Sequence, residues 1–233
     1  MEEITVTQNG FDCRYTLYLY GAVKDRFSFL PAEFDFQKIG DSETLFSVKT
    51  DGAYCPYIKK FTEETLAEII VIAYKYQYFK KRLPLPLLNG KNRRVLLTAL
   101  VAADYREDRA YTLRKIRGGD SYSLDGLYHF KLRDLTARWQ EIADCVPVAM
   151  GEQSLDRFLG FLTEDGSGKA YIKDGDLYDE NYRKQQKSAL TGKSWTVGEV
   201  LLSQAERIYC FGNTDGETKA FLKKYYGEKA TFC

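Results

Sequence analysis

Arg207-Ile208-Tyr209-Cys210-Phe211, then Thr214 with Glu217 and a run to Tyr226, then Ala230-Thr231-Phe232-Cys233: this closing stretch decides the fold class. Two short apolar runs flank a segment in which Thr214 and Glu217 stand at the spacing of a capping box, the signature of a helix start. Strand, helix, strand in that order implies a parallel βαβ crossover. Just upstream, Asp165-Gly166-Ser167-Gly168 and Asp174-Gly175 are turn signals around Ala170-Tyr171-Ile172-Lys173, which predicts a hairpin. A second capping box, Thr196 with Glu199, predicts a helix through Leu202. Residues 165 to 233 therefore read as a small αβ subdomain.

Moving towards the N-terminus, the period changes. Tyr128, Leu132, Leu135, Trp139, Ile142 and Val146 recur at steps of four and three, with Lys131, Asp134, Arg138 and Glu141 between them. That is one face of an amphipathic helix, closed by Pro147. Ser154 starts another helix at Leu155. Residues 62 to 82 predict a further one: Thr62 as its cap, Glu63 and Glu64 in its first turn, Leu66, Ile69, Ile70, Ala73 and Tyr76 as its stripe, and Pro84 beyond its end. Residues 95 to 105 and 106 to 117 read as two shorter helices or one kinked one, ended by Gly118-Gly119. Residues 56 to 164 are thus a helical region. The first 55 residues alternate instead, and Ile4-Thr5-Val6, Tyr15 to Tyr20 and Thr44-Leu45-Phe46-Ser47-Val48 read as the strands of a small β-rich layer. The fold class expected is α+β.

A chain of 233 residues, 44% hydrophobic and 15% aromatic, can bury a substantial core. The acidic start Met1-Glu2-Glu3 carries no secretory signal pattern, and no stretch reaches the roughly 18 uninterrupted apolar residues of a membrane span. The expectation is a cytoplasmic protein that does not engage a membrane. Cys13, Cys55, Cys145, Cys210 and Cys233 are scattered and form no C-x-x-C pair, so they read as reduced thiols. Neither cofactor nor metal is implied, and His129 is the sole histidine.

The net charge of +1 conceals a division: residues 75 to 138 hold fifteen Lys/Arg against six Asp/Glu. Within it, Lys80, Lys81, Arg82, Lys91, Arg93, Arg94, Arg114, Lys115 and Arg117 fall at predicted helix ends, where they could converge as a polyanion site. Tyr74, Tyr76 and Tyr78 precede them, and rings among cations suit single-stranded nucleic acid. The same charges could instead be neutralised by the acidic ends of the chain. Two fragments look like phosphate-binding loops and fail. Gly166-Ser167-Gly168-Lys169 lacks the hydroxyl after Lys and leads into a strand, and Gly192-Lys193-Ser194 lacks both the earlier glycine and the preceding strand.

Leu124-Asp125-Gly126-Leu127-Tyr128-His129-Phe130-Lys131-Leu132-Arg133-Asp134 resembles a segment of YtxC-like proteins, a sporulation-associated family of endospore-forming bacteria that reads roughly Gly-Phe-x-x-Phe-Arg-Leu-Lys-Asp-Tyr. Gly126, Phe130, Leu132 and Arg133 are then motif residues, while Leu127 stands for the first Phe, Lys131 for Arg and Leu135 for Tyr. The resemblance covers about residues 60 to 233. It implies a sporulation-associated protein of a spore-forming firmicute and brings no catalytic residues. The expected function is therefore a sporulation-associated, non-catalytic binding or structural protein of unknown biochemical activity and unknown partner, for which an acidic protein or nucleic acid is the candidate. The alternatives are a nucleic-acid-binding protein using residues 75 to 138, and an enzyme of unidentified class.

Overall fold

The computed structural model describes residues 1–10, 13–190 and 195–233. In chain order the first half runs β1 (Glu2–Asn9), α1 (Arg14–Phe27), β2 (Ala32–Ile39), β3 (Glu43–Thr50), α2 (Cys55–Glu68), a π-helical segment Ile69–Tyr74, α3 (Lys75–Arg82), α4 (Gly90–Ala103) and α5 (Tyr105–Ile116). The second half runs β4 (Ser121–Ser123), the single turn α6 (Leu124–Gly126), a second π-helical segment Leu127–Lys131, α7 (Arg133–Cys145), α8 (Glu152–Glu164), β5 (Lys169–Lys173), β6 (Asp176–Tyr178), α9 (Thr196–Ser203), β7 (Arg207–Phe211), α10 (Gly216–Tyr225) and β8 (Ala230–Phe232). The protein is α+β, as the alternation of periods implies.

The chain folds into two compact units, and each is discontinuous: Met1–Tyr74 with Arg106–Gln140, and Lys75–Tyr105 with Glu141–Cys233. The helical region read at residues 56 to 164 is thus shared between them. An apolar stripe shows that a helix face will be buried; it does not show in which core.

The first unit carries a sheet of order β2-β3-β1-β4. Strands β1 and β3 pair antiparallel with Val6 opposite Phe46, β2 and β3 pair antiparallel with Phe36 opposite Phe46, and β4 joins β1 in parallel. Ile4, Val6, Phe46 and Val48 are fully buried beneath α1 and α2, which contribute Leu19, Val23, Ile58 and Leu66. Residues 15 to 20 are helical, not a strand. Within Tyr-Thr-Leu-Tyr-Leu-Tyr a period of 2 and a period of 3.6 both fit, and only the continuation to Phe27 separates them. The buried positions Tyr15, Thr16, Leu19, Ala22 and Val23 follow the helical one. A strand missed in sequence, β2, has plain alternation over Phe34, Asp35 and Phe36.

The helix predicted from Thr62 begins at Cys55, with Pro56 in its first turn, so Thr62 is an interior, fully buried residue and not a cap. Its end at Arg82 is as read. Leu132, just ahead of α7, and Leu135 and Trp139 within it are completely buried, followed by Ala143; Ile142 is only partly covered.

In the second unit the sheet order is β6-β5-β7-β8. The expected hairpin is β5 with β6, and the expected βαβ unit is β7, α10 and β8, with β7 and β8 parallel. Strand β5 also runs parallel to β7. Both capping boxes are corrected. Asp215, one residue after Thr214, caps α10: its carboxylate accepts from the Thr218 amide at 2.8 Å and the Thr218 hydroxyl at 2.7 Å, because a carboxylate can take both. Helix α9 has no side-chain cap; the Thr196 hydroxyl donates to the Gly175 carbonyl at 3.3 Å, and Glu199 accepts from the Ser188 amide and hydroxyl, each at 3.0 Å.

Candidate functional site

The nine cations expected to form a polyanion site divide between the units. Lys80, Lys81 and Arg82 close α3, and Lys91, Arg93 and Arg94 open α4, all in the second unit; Arg114, Lys115 and Arg117 lie at the end of α5 in the first. Most of the six in the second unit are engaged internally. The Arg93 guanidinium donates to the carbonyls of Lys80 at 3.3 Å and Leu83 at 3.1 Å, so it satisfies the open C-terminal carbonyls of α3. Arg94 lies 3.8 Å from the centroid of the Trp195 ring, a cation–π contact. Lys91 pairs with Glu217 at 3.6 Å and Arg82 with Asp144 at 3.8 Å. Lys80 and Lys81 are exposed, as are Arg114, Lys115 and Arg117, and Lys115 lies 5.5 Å from the Tyr111 ring. Arg93 and Arg94 therefore point into structure and drop out of the expected polyanion site.

Of the tyrosines ahead of Lys80, Tyr74 is occupied too. Tyr74 packs on Tyr15 at 5.3 Å and Tyr128 at 4.9 Å, and its hydroxyl donates to Asp125 at 3.1 Å. Burial first, and the Asp125 carboxylate second, raise its pKa well above the ordinary phenol value.

At the sporulation-family resemblance, Gly126 closes the turn α6, where a β-carbon would come within 3.1 Å of the Ser123 side chain that caps that turn. Leu132 is fully buried, whereas Phe130 is 70% exposed with the Arg133 guanidinium 5.9 Å from its ring. Arg133 also donates to the His129 carbonyl at 3.3 Å.

The arrangement with the most chemical content was not singled out in sequence. On β5 and β7 the side chains alternate: Ala170, Ile172, Ile208 and Cys210 are buried, and Lys169, Tyr171, Lys173, Arg207, Tyr209 and Phe211 share the opposite, accessible face. The parallel register sets Lys169 beside Arg207, Tyr171 beside Tyr209 and Lys173 beside Phe211. Tyr171 lies 5.4 Å from Tyr209 and 6.3 Å from Phe211, with interplanar angles of 26° in both pairs. Across the other edge Tyr171 opposes Tyr178 of β6. Near-parallel rings are thus bordered by the exposed cations Lys169, Arg207 and Lys173. No family model, no curated protein and no solved structure matches this chain. Only the geometry of the face speaks for its role.

Near-parallel rings offer π-faces to any base, and flanking ammonium and guanidinium groups neutralise phosphates; together they suit a single strand better than a duplex, whose bases are already stacked. The signal was present in the sequence as Lys169-Ala170-Tyr171-Ile172-Lys173 and Arg207-Ile208-Tyr209-Cys210-Phe211, where every second residue is aromatic or basic.

Other chemistry is sparse. Among the described residues no group of three or more His, Cys, Asp or Glu is placed to hold a metal ion. Cys210 and Cys233 are neighbours, the Cys233 amide donating to the Cys210 carbonyl at 2.9 Å, and burial raises the Cys210 thiol pKa, which disfavours the thiolate needed for metal binding or attack. The fragment Gly166 to Lys169 does lead into β5, and Gly192-Lys193-Ser194 falls outside the described residues. A groove of about 220 Å³ lies among Arg82, Leu83, Leu85, Asp144 and Val148, below the roughly 300 Å³ at which small-molecule sites begin. No helix among the described residues is long and apolar enough to cross a membrane.

Proposed function

We propose that this chain is a non-catalytic binding protein for single-stranded nucleic acid, and that the open face of β5 and β7 is its contact surface. The observation that carries the reading is the set of partly exposed rings on one sheet face, Tyr209 and Phe211 each at 26° to the central Tyr171, bordered by the exposed Lys169, Lys173 and Arg207. Bases stack on the rings and the strand's phosphates meet the three cations.

Fluorescence anisotropy with labelled single-stranded RNA, single-stranded DNA and duplex DNA tests this. Single strands are expected to bind more tightly than duplex, and Tyr209→Ala to lose about 1 to 3 kcal/mol of binding, the contribution of one stacked base. Equal affinity for duplex, or an unchanged Tyr209→Ala, would overturn the reading. The sporulation setting belongs to the same proposal and rests on the resemblance at residues 124 to 134. Deleting the gene in a spore-forming host should lower spore yield, and unchanged yield would remove that part alone.

A further inference from the structure

Tyr182 stands where the first base would stand. It lies on the turn that follows β6, and its ring stacks on Tyr171 with centroids 4.1 Å apart and planes 19° apart, while the residue itself is 64% exposed. At that separation the rings are in van der Waals contact, and no base fits between them. The backbone beneath is unusual. Tyr182 has φ +58°, a left-handed conformation that disfavours a bulky side chain and that glycine or asparagine adopts more easily.

The turn around it is firmly built. The Asp179 carboxylate accepts from the amides of Asn181 and Arg183, both at 2.9 Å, and the Tyr182 amide donates to the Asp179 carbonyl at 3.0 Å. The chain returns along β6, where the Gln185 amide donates to the Leu177 carbonyl at 2.8 Å, and Lys184 and Lys187 reach Asp176 at 2.5 and 3.2 Å. A rigid turn therefore presents a strained residue whose ring lies over the central ring of the platform. A side-chain rotation releases that ring without unmaking the turn's hydrogen bonds.

We propose that Tyr182 is a gate over Tyr171: in the free protein its ring covers the stacking face, and an incoming base displaces it. The inference rests on the reading of the β5–β7 face as a single-strand site. The open state alone accepts the strand, so the apparent Kd is the intrinsic Kd divided by the open fraction.

The test is anisotropy with a fluorescein-labelled oligouridylate of about ten nucleotides, applied to the full chain, Tyr182→Ala, Tyr182→Gly, Tyr171→Ala and the Tyr182→Ala/Tyr171→Ala pair. Removing the gate should lower Kd roughly threefold to tenfold, the value of one aromatic stack. Tyr182→Gly, which also relieves the left-handed strain, should do the same. Because the gate acts through Tyr171, the double variant should bind as weakly as Tyr171→Ala alone. Solution NMR needs no variant: a nuclear Overhauser contact between the two rings should be present in the free wild type and lost on titration with the oligonucleotide. Weaker binding by Tyr182→Ala, or a ring contact that survives saturation, would overturn the gate and leave the single-strand reading standing. Absence of binding by both wild type and Tyr182→Ala would overturn both.

Discussion

Trp139 shows what one residue settles in the first unit. Its fully buried indole donates to Asp108 at 2.8 Å, and Arg138 holds the other oxygen of the same carboxylate at 3.2 Å. A buried carboxylate is tolerated because donors surround it. Trp139→Ala should cost about 3 to 5 kcal/mol through the cavity it opens. Trp139→Phe keeps most of the volume but strips one donor from Asp108, and should cost about 1 to 3 kcal/mol. Urea denaturation of the three proteins checks both figures, and a loss no larger than that of a surface variant would exclude this packing. The 4-3 spacing in the sequence was enough to bury Trp139. That its indole would meet Asp108, 31 positions away, was not legible, because periodicity describes a helix and not its neighbour.

At the scale of elements, the junction of α3 and α4 separates cations that hold structure from cations free to meet a ligand. Arg93 closes the last carbonyls of α3, and Arg93→Glu would put a carboxylate against them. Arg93→Ala should lower stability by about 1.5 to 3 kcal/mol, the range for a charge-assisted hydrogen bond, whereas Lys80→Ala should stay within about 0.5 kcal/mol. Thermal melts of the two variants decide whether residues 80 to 94 are a scaffold or a free basic surface. The sequence placed these residues at helix ends correctly, but a position near a helix end does not say whether the side chain turns outward or folds back. The segment after β6 gives a pH prediction of the same kind. Hydrogen bonds from Lys184 first, and from Lys187, hold Asp176 below the usual carboxylate pKa. A carboxylate depressed in the folded state contributes stability above its unfolded value, near 3.9, and loses it as pH falls through the folded value. Asp176→Asn should therefore be less stable than wild type at neutral pH, by under about 1 kcal/mol for so solvated a pair, and equal to it once the wild-type carboxyl is protonated. A difference that persists in acid would mean that these pairs do not hold the segment.

For the whole molecule, charge counted along the chain and charge arranged in space give different forecasts. The fifteen cations of residues 75 to 138 drew attention because they are dense in sequence. The fold divides them between two units and turns Arg93 and Arg94 inward. The paired rings and cations of β5 and β7 are 38 positions apart and become one surface only through parallel pairing. The α+β class, the C-terminal crossover and the hairpin were legible because turn residues and period are local. The surface was not, because β5 and β7 are brought together by register and not by proximity in the chain. Salt titration measures which layout governs binding. For single strands the slope of log K against log salt is about −0.7 per phosphate neutralised, so contact through Lys169, Lys173 and Arg207 predicts a slope near −2. Engagement of six or more cations from the basic segment predicts a slope steeper than about −4. Lys169→Ala with Arg207→Ala should flatten the first slope to about −0.7, whereas Lys80→Ala with Lys81→Ala should leave it nearly unchanged. A steep slope that answers to the lysines of α3 and ignores the cations of β5 and β7 would return the binding surface to the basic segment and remove it from the sheet.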